Sequence, residues 1–157
     1  MFGDFPMKDY LFILNTRGGG GLEHLNSTAL QFNKFGFTGS RYTDFLTLVA
    51  HEYFHLWNVK RIKPDVLGPF NYEGENYTKL LWVAEGSTSY YEGILVQRAG
   101  LMSDREFLAS KATQVQALQE RPGRFQTSLE ESSWDAWIKY YRQDQNSINN
   151  QISYYDK

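Results

Sequence analysis

Two histidines four residues apart, with a glutamate after the first, are the residues whose types and spacing could do chemistry: His51-Glu52-Tyr53-Phe54-His55. On an α-helix, positions four apart sit about 40° apart round the axis and about 6 Å along it, so both imidazoles leave one face and can grip one metal ion. Glu52 then projects beside that ion rather than at it, where a carboxylate can take a proton from a metal-bound water. Two hydrogen-bonded core histidines would carry the same letters, since a five-residue pattern also arises by chance. Context has to separate the two readings.

The first piece of context is Glu85, which follows His55 by 30 residues in an apolar stretch, Leu80-Leu81-Trp82-Val83-Ala84-Glu85-Gly86. Burying a carboxylate unpaired costs several kcal/mol, and a metal ion is the partner that removes this cost most completely. An ion pair with a lysine or arginine is the alternative. The second piece is the run Gly18-Gly19-Gly20-Gly21-Leu22-Glu23-His24. Its glycines permit close backbone approach but cannot by themselves hold a strand, so a flexible hairpin loop with Glu23 and His24 exposed at its end is the plain expectation. It is no phosphate loop, because no Gly-Lys-Ser or Gly-Lys-Thr follows. Two histidines and one glutamate would leave zinc a fourth position for water, as a catalytic site requires, and zinc lowers the pKa of that water to about 7.

Composition narrows the classes. At 157 residues the chain is expected to form one unit. A net charge of −2 gives no basic face for nucleic acid. No apolar run is long enough to span a bilayer, and a soluble chain is expected. There is no cysteine, so any zinc must use nitrogen and oxygen ligands. The opening Met1-Phe2-Gly3-Asp4-Phe5-Pro6 lacks the regions of a secretory signal, and the compartment stays open. Eleven Tyr and eleven Phe promise aromatic core and cleft walls.

The elements that must position these groups are mainly helical. Residues 10–15 read as a strand buried on both faces. A helix is expected over 40–60, with Ser40 as N-cap, Lys60, Arg61 and Lys63 offsetting its C-terminal dipole and needing no partner, and Pro64 ending it. Phe45, Leu48, Val49, Phe54, Leu56 and Trp57 cover so much of its circumference that it should be largely buried, with the histidines lining an interior cleft. Residues 65–77 read as a loop, 78–99 as a second helix stopped by Gly100, and 103–119 as a third capped by Ser103. Beyond Arg121 the chain is polar, although Trp134, Trp137, Tyr140 and Tyr141 offer something to pack. No repeat or linker is visible.

Three blocks carry a family resemblance: Gly20-Gly21-Leu22-Glu23-His24, the run from His51 through Asn58-Val59-Lys60-Arg61-Ile62-Lys63-Pro64, and Trp82-Val83-Ala84-Glu85-Gly86-Ser87-Thr88-Ser89-Tyr90-Tyr91. With them the sequence resembles the glycyl aminopeptidase family, PDZ-bearing gluzincin zinc metallopeptidases. The resemblance implies an α+β, mainly helical, thermolysin-like catalytic domain, here partial, over residues 1–157. An N-terminal β region and a C-terminal PDZ domain would be absent, leaving faces that could drive self-association. It implies His51, His55 and Glu85 as zinc ligands and Glu52 as general base.

More distant relatives of the aminopeptidase N kind carry a Gly-x-Met-Glu-Asn edge strand whose glutamate binds the substrate's α-amino group. Glu23 takes the similar place, beside Gly21 and Leu22, with Leu22 and His24 replacing the Met and Asn. Tyr155 in Tyr155-Asp156-Lys157 is similar to the start of the Tyr-x-Lys-Gly segment that steadies the oxyanion. Thermolysin carries an aspartate four residues after its glutamate ligand; here Ser89 stands there, so a carboxylate orienting a histidine would come from Asp44 or Glu92. The implied activity is zinc-dependent hydrolysis of peptides with a free N-terminus, releasing glycine or alanine. The alternatives are a zinc endopeptidase, or a truncated peptide-binding fragment without turnover.

Overall fold

The computed structural model of the chain describes residues 5–156; Met1 to Asp4, and with them most of the signal-peptide reading, and Lys157 lie outside the described residues. The chain divides into two compact units, one ending at Ile62 and the other beginning at Lys63.

The first unit holds strands β1 (Leu11–Asn15), β2 (Gly19–Glu23) and β3 (Ser27–Phe32), then helix α1 (Ser40–Phe54). The sheet order is β1-β3-β2, with β1 parallel and β2 antiparallel to the central β3. The expected strand over 10–15 is present, but it is not buried on both faces: all five residues of β1 are exposed. A short apolar run does not reveal its place in a sheet, and β1 is an edge strand paired only to β3 among the described residues. Its packing is local, through Tyr10 and Phe12 against Tyr53 of α1, with ring centroids 5.1 and 5.9 Å apart.

The glycine run is a strand rather than a loop. β3 supplies a full ladder from Gly19↔Phe32 to Glu23↔Thr28, and Gly18 and Gly20 take φ of 81° and 94°, values that glycine adopts without cost.

Helix α1 packs on β2 and β3. It starts after Gly39, which caps it with no side-chain hydrogen bond, so Ser40 is its first residue and not its N-cap. It ends at Phe54, six residues before the expected Lys60. His55 is the C-cap, and the chain then turns through Asn58, which forms a parallel bridge to Ile62, and Val59 at φ 149°. Only Glu52 and Phe54 of α1 are fully buried, so the broad apolar circumference did not translate into a buried helix. Phe45 instead joins Phe32 and Phe37 in an aromatic cluster, with centroids 5.3 and 5.0 Å away.

The second unit contains α2 (Ser87–Arg98), α3 (Asp104–Gln119), α4 (Leu129–Trp134) and α5 (Ser147–Asn150). The helix expected over 78–99 is regular only in α2. Thr78 Oγ1 accepts the Leu80 amide at 3.1 Å, and Trp82–Gly86 is a π-helical turn. Gly100 is the stop, at φ 73°, with its N–H on the Gln97 carbonyl. Ser103 caps α3 in a reciprocal capping box with Glu106, and Ser128 does the same for α4 with Glu131.

The polar C-terminal stretch is tied down in this unit. Tyr154 is only 2% exposed, and Arg121 pairs with Asp156 at 2.7 Å. Residues 65–77 form the expected loop, with one 3-10 turn at Asp65–Leu67. Among the described residues, no helix is long and apolar enough to cross a membrane.

Candidate active site

In the first unit, the last turns of α1 present His51 and His55 with ring centroids 4.7 Å apart and planes at 85°. The four-residue spacing that suggested a shared face is therefore realised as one. His55 is buried and His51 partly so. His55 Nδ1 lies 2.7 Å from the carbonyl oxygen of Asn58. A carbonyl only accepts, so Nδ1 carries the proton and the ring's lone pair resides on Nε2. That is the tautomer a metal-binding imidazole needs, oriented by a hydrogen bond on its far nitrogen. For this ring the orienting group is a backbone carbonyl. Sequence reasoning missed it because a carbonyl has no letter.

Glu52 is 4% exposed, and its side chain lies against the backbone of Gly21 on β2. A Cβ built on Gly21 would fall 2.5 Å from Glu52 Cγ and Oε1, so the bare backbone there makes room for the carboxylate. Glu23, two residues along the same face of β2, is paired with Lys60 at 3.2 Å rather than solvated at a loop end. Ligand atoms of Glu23, Glu52 and His55 lie within 4.8 Å of one another. Leu22, between them, is exposed at 58% on the opposite face, and its carbonyl accepts a hydrogen bond from Thr28 Oγ1. Tyr10 packs beside this group, and burial, then the Glu52 charge, pushes its hydroxyl pKa up to about 12.

In the second unit, Glu85 sits in the π-helical turn and is partly buried, not fully as its apolar neighbours implied. π-turns inside helices recur at functional sites because they re-aim one side chain. Tyr155 Oη donates to Glu85 Oε2 at 3.1 Å. Burial, followed by the Glu85 charge, drives the Tyr155 ionisation far above the usual phenol range, so it remains a hydrogen-bond donor. The residues proposed as ligand and as oxyanion donor are thus brought together, 70 residues apart in sequence.

The donor set fits zinc. It offers imidazole nitrogen and carboxylate oxygen with no thiolate, and one histidine already holds the required tautomer. Within the first unit, the Glu23, Glu52 and His55 group is close enough to hold a metal ion of some kind.

A mixed strand-and-helix chain with a His-Glu-x-x-His helix laid on a glycine-rich edge strand is the class these observations define. The family model of the M61 glycyl aminopeptidases matches residues 44–157, and the chain belongs to that family. It is similar to a crystal structure of an aminopeptidase N family protein from Idiomarina loihiensis, at 37% identity and a TM-score of 0.90 over 96% of this chain. The chain spans 27% of that protein's length. No curated protein matches it.

Proposed function

We propose that the chain carries the zinc site and proton-transfer machinery of a thermolysin-like aminopeptidase that removes small N-terminal residues, glycine or alanine, from peptides. The observation that carries this reading is that Glu52 lies against Gly21 of β2, with its carboxylate within 4.8 Å of ligand atoms of both His55 and Glu23. Membership of the glycyl aminopeptidase family supports the substrate class.

His51, His55 and Glu85 would hold the zinc, which when bound supplies Lewis acidity to the scissile carbonyl and to the attacking water. The chain's own groups do the rest. Glu52 takes a proton from the attacking water and hands it to the departing amine, so that peptide and water leave as acid and amine. Its burial suits that task, since a carboxylate withdrawn from bulk water transfers protons only to what is placed against it.

The Tyr155 hydroxyl would turn its single O–H from Glu85 to the oxygen that gains charge in the transition state, where one such donor is worth about 3 to 4 kcal/mol. Glu23 receives the α-ammonium, and a charge-assisted contact of this kind rewards a free N-terminus over a blocked one. β2 is an edge strand, so an extended peptide can lie along Gly21 and Leu22 and use their backbone groups.

The test is hydrolysis of Gly- and Ala-p-nitroanilides and their N-acetylated forms by the zinc-loaded chain, with Glu52→Gln as control. Cleavage of the unblocked forms alone, lost in the variant, is expected. Equal cleavage of acetylated substrates would make the site an endopeptidase. Stoichiometric zinc with peptide binding but no cleavage would leave a peptide-binding fragment.

A further inference from the structure

Lys60 does more than offset the dipole of α1. Its Nζ stands 3.2 Å from Glu23 Oε1, with only 22% and 17% of the two side chains exposed. The turn that carries it is fixed at several points. The Lys60 N–H donates to the His55 carbonyl at 3.0 Å, and the Asn58 carbonyl accepts from His55 Nδ1 at 2.7 Å. Between them Val59, 9% exposed, holds φ at 149°, a left-handed value that a β-branched residue adopts only when its surroundings impose it.

Glu23 is equally fixed, at the end of the β2 ladder opposite Thr28. Its carboxylate shares a 4.8 Å neighbourhood with Glu52 and His55. A primary ammonium carried by a fixed turn is therefore already seated on this carboxylate, beside the proposed reacting centre.

We infer that Lys60 is a specificity-determining residue: in the substrate-free chain its ammonium occupies the place at Glu23 that a substrate's α-ammonium takes, and peptide binding displaces it. This rests on the reading of Glu23 as amine anchor. Lysine and a peptide N-terminus offer a carboxylate the same group, three N–H donors on a single positive charge. The tethered copy competes at high effective concentration, so a small cation alone displaces it poorly. A peptide that also pairs along β2 and offers its carbonyl at the site brings enough additional contact to win. A blocked N-terminus brings no charge and leaves the Glu23–Lys60 pair in place. Specificity here is partly exclusion, in which the wrong ligand faces an occupied anchor.

The experiment measures binding, so that turnover is not needed. The zinc-loaded full chain carrying Glu52→Gln is titrated calorimetrically with Ala-Ala-Ala and with N-acetyl-Ala-Ala-Ala, alone and with Lys60→Met, Lys60→Gln, Lys60→Arg or Glu23→Gln added. Melting curves confirm that each variant is folded. Lys60→Met and Lys60→Gln are expected to bind the unblocked peptide about two- to fivefold more tightly, the range for losing one partly exposed ionic competitor. Neither should tighten binding of the acetylated peptide, and Lys60→Arg should bind both like its parent. Weaker or unchanged binding of the unblocked peptide by the two neutral variants would overturn the inference and make Lys60 a brace for Glu23. Glu23→Gln separates the two levels: if it leaves the preference for the unblocked peptide intact, or if neither peptide binds the parent, the anchor reading itself fails and this inference with it.

Discussion

Replacing Gly21 by alanine tests the link between strand and base most sharply. Gly21 needs no special backbone angle, so alanine is acceptable to the strand and even favoured there by about 0.5 to 1 kcal/mol. The obstacle is Glu52, whose Cγ and Oε1 would lie 2.5 Å from the new methyl group. Ordinary contacts need about 3.5 to 4 Å, so the carboxylate must retreat by roughly 1 Å. It is 4% exposed, with little room to do so.

Overpacking of this size costs about 1 to 3 kcal/mol, leaving a net loss of up to about 2.5 kcal/mol after the strand gain and a fall in Tm of up to about 10 °C. A displacement of about 1 Å at a proton-transfer group costs about a hundredfold in rate. Zinc-loaded Gly21→Ala should therefore show kcat on Ala-p-nitroanilide reduced about a hundredfold with KM changed little. Adding Glu52→Asp, whose carboxylate is one methylene shorter, should recover Tm in the double variant. Full activity and unchanged Tm in Gly21→Ala would refute the reasoning.

Tyr155→Phe keeps the ring but removes the donor, and kcat should fall about a hundred- to a thousandfold with KM nearly constant in steady-state assays. Gly123→Ala should be costlier than Gly21→Ala, about 3 kcal/mol by denaturant titration, because the added carbon meets the Gln151 backbone, including its N at 2.5 Å, rather than a side chain that can move. Ser103→Ala should cost about 1 kcal/mol by removing the α3 cap. It should also return the Glu106 carboxyl upward toward its ordinary pKa in an NMR titration, since the side-chain and backbone bonds of Ser103 are what lower it. A carboxyl lowered in the folded state contributes stability above its unfolded pKa and loses it as pH falls through the folded value. The wild-type chain should therefore exceed Ser103→Ala in Tm most clearly above the ordinary glutamate range, with the gap narrowing as pH falls below it.

The histidine face was legible because helix periodicity converts a four-residue spacing directly into geometry, and Ser103 and Gly100 were legible because caps are written in single letters. The π-turn at Glu85 was not, since apolar residues in a row do not distinguish helix widths. The fate of the glycine run depended on β3, which alone supplies its ladder, and the exposure of β1 depended on sheet order; neither partner is encoded locally. The early end of α1 at Phe54 is set by a hydrogen bond from His55 to a backbone carbonyl and by Val59 at φ 149°, a conformation no valine advertises. Lys60 was read as a dipole-offsetting cation because its partner, Glu23, lies 37 positions away.

The central claim, a zinc held by His51, His55 and Glu85, is tested most directly by zinc affinity, measured by competition with a chromophoric chelator on the wild-type chain and on His51→Ala, His55→Ala and Glu85→Ala. One zinc per wild-type chain is predicted, with each substitution weakening it by at least about a hundredfold, the upper range seen when even an outer partner of a ligand is lost. Zinc bound as tightly by Glu85→Ala as by the wild type would contradict the account.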